Sequence, residues 1–437
     1  MEWKKDYESK LITAEAAAGL IKDGDVFWFG PMATAPMDIG KAIEGRMEEL
    51  HDVTCVSGFF LAPFKWATAA GKGHIGYECA FLGPIERMLI KQGNIHLNSF
   101  NFQHIDKLMT DVYKPNMVFT EVSAPDEDGY MSVGPFGAYA TRACMEICDV
   151  KVVQVNRETP FVRGIDETRI HVSQVDYIVE GDHPLPEVPL AQPDENEIKI
   201  AEYVASEVPD GATIQIGFGA LANAILEAFA DKKDLGIHTE MICEAVIDLV
   251  ESGVVNGSKK EIAPGKIVSP LYVGGKRMYE WCQTCPDVEQ RYQGWVNDPR
   301  IASQLDNLMA INFGIMSDLT GQTASEGVGY DAVSGTGGQL DFAIAAYMSK
   351  NGKFFACLHS TFTDQDGVVH SNIVASLPQG TAVTTPRSLA DYVVTEWGIV
   401  KLKDRSIPER VEAMISIAHP DFRDQLRKEA QEAGLLL

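Results

Sequence analysis

Ala212-Thr213-Ile214-Gln215-Ile216-Gly217-Phe218-Gly219-Ala220 is followed by Leu221-Ala222-Asn223-Ala224-Ile225-Leu226-Glu227-Ala228-Phe229, and the reading of this run decides the fold. Its first five residues alternate apolar and polar, as a short strand does. Gly217 and Gly219 allow a tight turn and keep bulky side chains out of it. The next nine residues carry apolar side chains at helical spacing. Leu235-Gly236-Ile237-His238-Thr239 then reads as a second strand, and Glu240 stands at its end ahead of Met241-Ile242. A helix start behind a glycine turn offers backbone N–H groups to an anion. In an open α/β sheet the ligand crevice lies at the carboxyl ends of the strands. The turn and Glu240, about 20 residues apart, should share that crevice. Three roles fit Glu240: holding a ribose while the turn holds a pyrophosphate, attacking as a nucleophile while N–H groups hold an oxyanion, or lying idle at a strand end.

The same grammar occurs earlier in the chain. Ile12 to Ile21 reads as an Ala-rich helix, Lys22-Asp23-Gly24-Asp25 ends it, and Val26-Phe27-Trp28-Phe29 is an apolar strand closed by Gly30-Pro31. A helix is expected over 36–44. Asp23-Gly24 matches Asp210-Gly211, Gly30 matches Gly217, and Val53-Thr54-Cys55 falls where His238-Thr239-Glu240 falls. Asp126-Glu127-Asp128-Gly129 matches Asp318-Leu319-Thr320-Gly321, and Val150 to Val155 matches Tyr392 to Glu396. This is a twofold repeat at domain scale. It predicts two similar open-sheet α/β domains, 1–185 and 186–437, joined by the proline-rich Gly181 to Pro189, with the active site in the cleft between them. A second glycine turn, Ser334-Gly335-Thr336-Gly337-Gly338, precedes a helix over 342–348, and Asn297 lies upstream in Val296-Asn297-Asp298-Pro299.

Composition narrows the classes of function. The 437 residues carry 62 acidic against 37 basic side chains, a formal charge of −25. Such a field disfavours nucleic acid and anionic membrane as partners. No apolar run reaches the ~18 residues of a membrane span, and Met1 to Asp6 leads into polar residues, so no secretory leader is expected. Eight scattered cysteines suit a reducing, cytoplasmic setting. Cys282-Gln283-Thr284-Cys285 lacks the second pair that a zinc site normally needs, so no metal is expected. His419 near Asp421 could be a base with its orienter, or a cap.

The glycine turns, the Leu235 to Met241 segment, Ser334 to Phe342, Tyr392 to Glu396 and Ile417 to Asp424 together resemble the acetyl-CoA hydrolase/transferase branch of the family I CoA-transferases, over essentially the whole chain. Within it the pattern looks like the butyryl-CoA:acetate and 4-hydroxybutyrate enzymes. The resemblance implies that Glu240 is the nucleophile, that the N–H groups of Leu221 and Gly338 form the oxyanion hole, and that Asn297 positions the acyl group. It implies coenzyme A contacts from Gly217, Phe218, Gly219, Ala220 and Leu221, from Gly338, and more loosely from Ile315 and Lys350. Here the flank reads Val296-Asn297-Asp298-Pro299, which departs from the Ser-Asn-x-Pro-Glu of some members. Coenzyme A would then be a substrate, with no tightly bound cofactor, with acyl-CoA and short-chain carboxylates as partners and a homo-oligomer as the expected assembly. Competing readings are an acyl-CoA hydrolase, an NAD-dependent oxidoreductase through Gly217-x-Gly219-x-x-Ala222 and Glu240, and a non-catalytic CoA-binding protein. His238 is expected to be structural, because strand alternation points it away from Glu240's neighbours.

Overall fold

A computed structural model describes residues 2–436. The chain forms two compact units. One runs to Pro189 and regains Val268–Val296; the other holds Leu190–Ile267 and the chain from Asn297 onward. A single cut between 185 and 186 therefore does not describe the chain. Val268–Val296, expected in the second domain, belongs to the first unit, where Gln290 Nε2 donates to the Gly134 carbonyl (2.9 Å) and Gln293 N–H to the Ala138 carbonyl (3.0 Å). Among the described residues no helix is long and apolar enough to cross a membrane.

In the first unit seven strands, β1 (Val26–Phe29), β2 (Val53–Ser57), β3 (Ile75–Cys79), β4 (Ile95–Leu97), β5 (Met117–Val122), β6 (Val150–Val155) and β7 (Tyr177–Glu180), form one sheet in the order β4-β3-β2-β1-β5-β6-β7. Every pairing is parallel. Such sheets are covered on both faces, which is why Val-Phe-Trp-Phe of β1 is continuously apolar. Aromatic rings fill the core beside it; Phe64 and Trp66 stack with centroids 4.4 Å apart. The preceding helix is shorter than expected, Ala14–Ala18, because Gly19 ends it and Leu20 and Ile21 fall outside. The helix after β1 is α1, Met37–Arg46.

In the second unit β8 (Thr213–Ile216), β9 (Gly236–His238), β10 (Leu308–Phe313), β11 (Lys353–Cys357), β12 (Tyr392–Thr395) and β13 (Gly398–Lys401) run in the order β9-β8-β10-β11-β12-β13. Only the terminal β12–β13 pair among these is antiparallel. Helix α2, Glu195–Glu207, precedes β8, and the Asp194 side chain caps it by accepting the N–H groups of Asn196 and Glu197, both at 2.8 Å. Helix α3, Ala220–Glu227, follows β8.

The two units repeat each other at matched turns. Gly24 and Gly211 are both left-handed, at φ +80° and +76°, and donate to the carbonyls of His51 and Lys233. The neighbouring Asp23 and Asp210 carboxylates accept the N–H groups of those same residues, each at 2.9 Å. The Asp126 and Asp318 turns are also alike. Asp126 accepts from Asp128 and Tyr130 N–H, Asp318 from Thr320 and Gln322 N–H, and Gly129 and Gly321 stand at φ +91° and +93°.

Strand register corrects two equivalences. Trp28 pairs with Val56 and Ile214 with Ile237, so aligning Phe29 with Ile216 puts Ser57 on Thr239 and Gly58 on Glu240. The Ser57 hydroxyl donates to the Phe29 carbonyl (2.7 Å) and the Thr239 hydroxyl to the Ile216 carbonyl (2.8 Å), which confirms the alignment. Cys55 lies mid-strand opposite Phe27 and is the counterpart of Ile237, not of Glu240. By sheet order Val150–Val155 corresponds to Lys353–Cys357, and Tyr177–Glu180 to Tyr392–Thr395.

Candidate active site

Glu240 leaves the end of β9 held by its neighbour. The buried Thr239 hydroxyl accepts the Ile216 N–H (3.1 Å) while donating to the Ile216 carbonyl. Ile216 directly precedes Gly217, so one side chain ties the Glu240 turn to the glycine turn. Gly219 stands at φ +111°, ψ −175°, a conformation essentially reserved for glycine. It opens α3, whose first intrahelical bond runs from Asn223 N–H to the Gly219 carbonyl. The N–H groups of Ala220, Leu221 and Ala222 precede that bond and point out of the helix start, where the helix dipole favours an anion. Phe218 is 44% exposed and Leu221 is buried. A methyl on Gly217 would sit 3.0 Å from the Phe313 ring, so glycine there permits close strand-end packing.

The Glu240 carboxylate meets two donors. Asn297 Nδ2 donates to Oε2 at 2.7 Å, and the Gly338 N–H donates to the same carboxyl group. Asn297 is fully buried. Its successor Asp298 caps α4 (Pro299–Ala302) by accepting the Arg300 N–H at 2.8 Å, so the Asp-Pro-Arg flank starts a helix that aims the amide. Gly338 precedes α5, Gln339–Met348, at φ −99°, ψ 4°, which any residue can adopt. Glycine is needed there for space: a methyl would overlap both Glu240 Oε2 and Asn297 Nδ2. Burial lifts the Glu240 pKa to about 7, and the bonds from Asn297 and Gly338 hold it from rising further.

The structure thus brings Glu240, Asn297 and Gly338 together, with Gly217 to Leu221 joined to them through Thr239. Ile315 lies just beyond the end of β10, with its N–H on the Ala324 carbonyl (2.8 Å). Lys350 is the other loosely implied contact. It follows the far end of α5, roughly 15 Å of helix from Gly338, and its Nζ pairs with Asp306 Oδ2 at 2.7 Å. The oxidoreductase reading asked Glu240 to accept from a ribose, whereas its carboxylate takes two protein donors. His238 is buried, with its ring edge-on to Phe342 at 6.5 Å. Burial pushes the Cys243 thiol up to about 11, so it is not a thiolate near neutrality. Cys282 and Cys285 are free, and no group of three ligands for a metal occurs among the described residues. His419 caps the turn Pro420–Phe422 by accepting the Asp421 N–H. Sequence reasoning missed Thr239 as the tie; a hydroxyl ending a strand beside a glycine turn was its only local sign.

Comparison with known proteins gives the family. Residues 1–189 match the acetyl-CoA hydrolase/transferase N-terminal domain, and 274–430 match the C-terminal domain of that family. The butyryl-CoA:acetate CoA-transferase of Anaerostipes caccae is 35% identical, covering 100% of this chain and 99% of its own. The 4-hydroxybutyrate coenzyme A transferase of Clostridium kluyveri is 36% identical, covering 98% and 99%. Among solved structures, RipA from Yersinia pestis superposes with a TM-score of 0.91 at 33% identity over 100% of both chains. The chain belongs to the acetyl-CoA hydrolase/transferase family and, with CoA-transferases as its full-length relatives, is a CoA-transferase.

Proposed function

We propose that this enzyme moves coenzyme A between a short-chain acyl-CoA, butyryl-CoA or 4-hydroxybutyryl-CoA, and acetate, by a ping-pong route through Glu240. The observation that carries the reading is the Glu240 carboxylate held on Oε2 by Asn297 Nδ2, with the Gly338 N–H on the same group. An oxygen of this carboxylate attacks the thioester carbonyl. The C–S bond breaks, coenzyme A leaves as thiolate, and an acyl-glutamyl anhydride remains. The thiolate then attacks the glutamyl carbonyl carbon and expels the first carboxylate, leaving a glutamyl-CoA thioester. A second carboxylate attacks that thioester, and the steps run in reverse.

Each attack on the glutamyl carbon places negative charge on its carbonyl oxygen, at a carboxyl group where Asn297 already donates to Oε2 and the Gly338 N–H also donates. Donors aligned before the charge forms need no reorganisation, and one of them is typically worth roughly 3–4 kcal/mol of barrier. Leu221 N–H, at the helix start, is suited to the oxygen of the incoming thioester. The turn Gly217 to Leu221 would lie along coenzyme A, its glycines allowing close approach. Dividing the exchange into steps suits a carboxylate that is also a fair leaving group.

The test incubates the enzyme with butyryl-CoA and traps the thioester with borohydride. Reduction should map to the peptide containing Glu240 and vanish in Glu240→Gln. Full exchange in that variant, or an adduct on Cys243, would overturn the assignment. A panel of acyl-CoA donors against carboxylates settles the substrate pair; preference for long-chain donors over butyryl-CoA would refute the short-chain reading.

A further inference from the structure

Gly338 owes its place to residues outside its own loop. Three of the four residues in Gly335-Thr336-Gly337-Gly338 are glycine, the most conformationally free residue. Gly337 is left-handed at φ +61°. A donor that acts by being aligned in advance gains little from such a loop unless something pins it. Glu326 does so twice. Its carbonyl accepts the N–H groups of Val333 (2.8 Å) and Ser334 (3.0 Å), and its Oε2 accepts the Thr336 hydroxyl at 3.1 Å. Its Oε1 accepts the buried Thr384 hydroxyl at 2.9 Å.

The next residue, Thr385, closes the ring from the other side of Gly338. Its hydroxyl accepts Gln339 Nε2 at 3.0 Å, and its backbone pairs with Thr323 in both directions at 3.0 Å. Thr336 on one side of Gly338 and Gln339 on the other are thus tied to the single dipeptide Thr384-Thr385, the first through Glu326.

We infer that Glu326 is a positioning residue for the transfer reaction: with Thr384 it fixes the Gly335–Gly338 loop, and through it the N–H that Gly338 gives to Glu240. The inference rests on Glu240 as the nucleophile. Loss of the anchor should therefore act on turnover and on the ionisation of Glu240, more than on binding of acyl-CoA.

The test compares Glu326→Ala, Thr384→Val and Thr384→Ser with the wild type in steady-state kinetics across pH, with thermal melting alongside. In the first two variants kcat should fall about 10- to 100-fold, less than or equal to the loss of a whole donor, with KM for acyl-CoA nearly unchanged. The acid limb of the pH profile should move up, because Gly338 helps hold the Glu240 pKa down. Thr384→Ser keeps the hydroxyl and should recover most of the loss. Unchanged kcat and acid limb in folded Glu326→Ala and Thr384→Val, or Thr384→Ser no better than Thr384→Val, would overturn the inference. If Glu326→Ala does not fold, the threonine pair decides. Glu240→Gln separates the two claims: if it keeps full exchange the nucleophile reading fails, and if it is dead while the anchor variants are unaffected only the anchor falls.

Discussion

Asn297 Nδ2 donates to Glu240 Oε2 across 2.7 Å, joining residues 57 positions apart in the chain. Asn297→Ala removes one of the two donors on the Glu240 carboxyl group. The expected result is a fall in kcat of roughly 10²–10³-fold with a small change in KM, read from steady-state kinetics. The acid limb should also move to higher pH, since this bond lowers the Glu240 pKa.

As the proposed nucleophile, Glu240, with its pKa at about 7, would attack only when ionised. The rate should climb with pH up to and slightly beyond 7 and level off above it, and that acid limb should be absent from any residual activity of Glu240→Gln.

The same shift has a consequence for stability. Its folded-state pKa stands above the ordinary 4.5, so the folded protein binds this proton more tightly than the unfolded chain does. The stabilising contribution is full below about 4.5 and is lost as pH rises through 7. Glu240→Gln cannot ionise, so it should melt higher than wild type at pH 8, by an amount on the order of 2 kcal/mol, and the gap should close by pH 4.5. Melting curves across pH read this directly; a gap independent of pH would contradict it.

Gly338→Ala places a methyl against Glu240 and Asn297 and should abolish most exchange. Gly45→Ala is the control. Gly45 lies inside the helix Met37–Arg46 with nothing within 4 Å of the added methyl, and should stabilise by about 0.5–1 kcal/mol with activity intact. Activity assays and thermal melts on the two variants distinguish space from backbone freedom.

Thr239→Val deletes both bonds to Ile216, leaving a buried N–H and carbonyl short of a partner. The expected cost is about 1–3 kcal/mol of stability, together with lost turnover, because Glu240 hangs from this residue. Thr239→Ser should restore both. Ser57→Ala, at the equivalent place of the first unit, should show a similar loss in denaturant titration.

Strand alternation, glycine turns and a carboxylate at a strand end are local patterns, so the sequence by itself determined the α/β class, the twofold repeat and Glu240 as the centre of interest. Gly24 with Gly211 and Asp126 with Asp318 were legible because each turn closes within a few residues on its own hydrogen bonds. Local pattern singled out the second glycine turn and Asn297, but only the family pattern joined Asn297 and Gly338 to Glu240, since each lies far along the chain from it. Tertiary structure alone decided three things. Parallel pairing between distant strands sets the register that makes Gly58, not Cys55, the counterpart of Glu240. The bonds of Gln290 and Gln293 assign Val268–Val296 to the first unit although the proline-rich segment lies far upstream. The length of α5 sets Lys350 roughly 15 Å of helix from Gly338 and leaves it paired with Asp306. Each depends on which residues meet after the chain has packed. Such contacts are set by long-range pairing and by the space available, and no single segment encodes them.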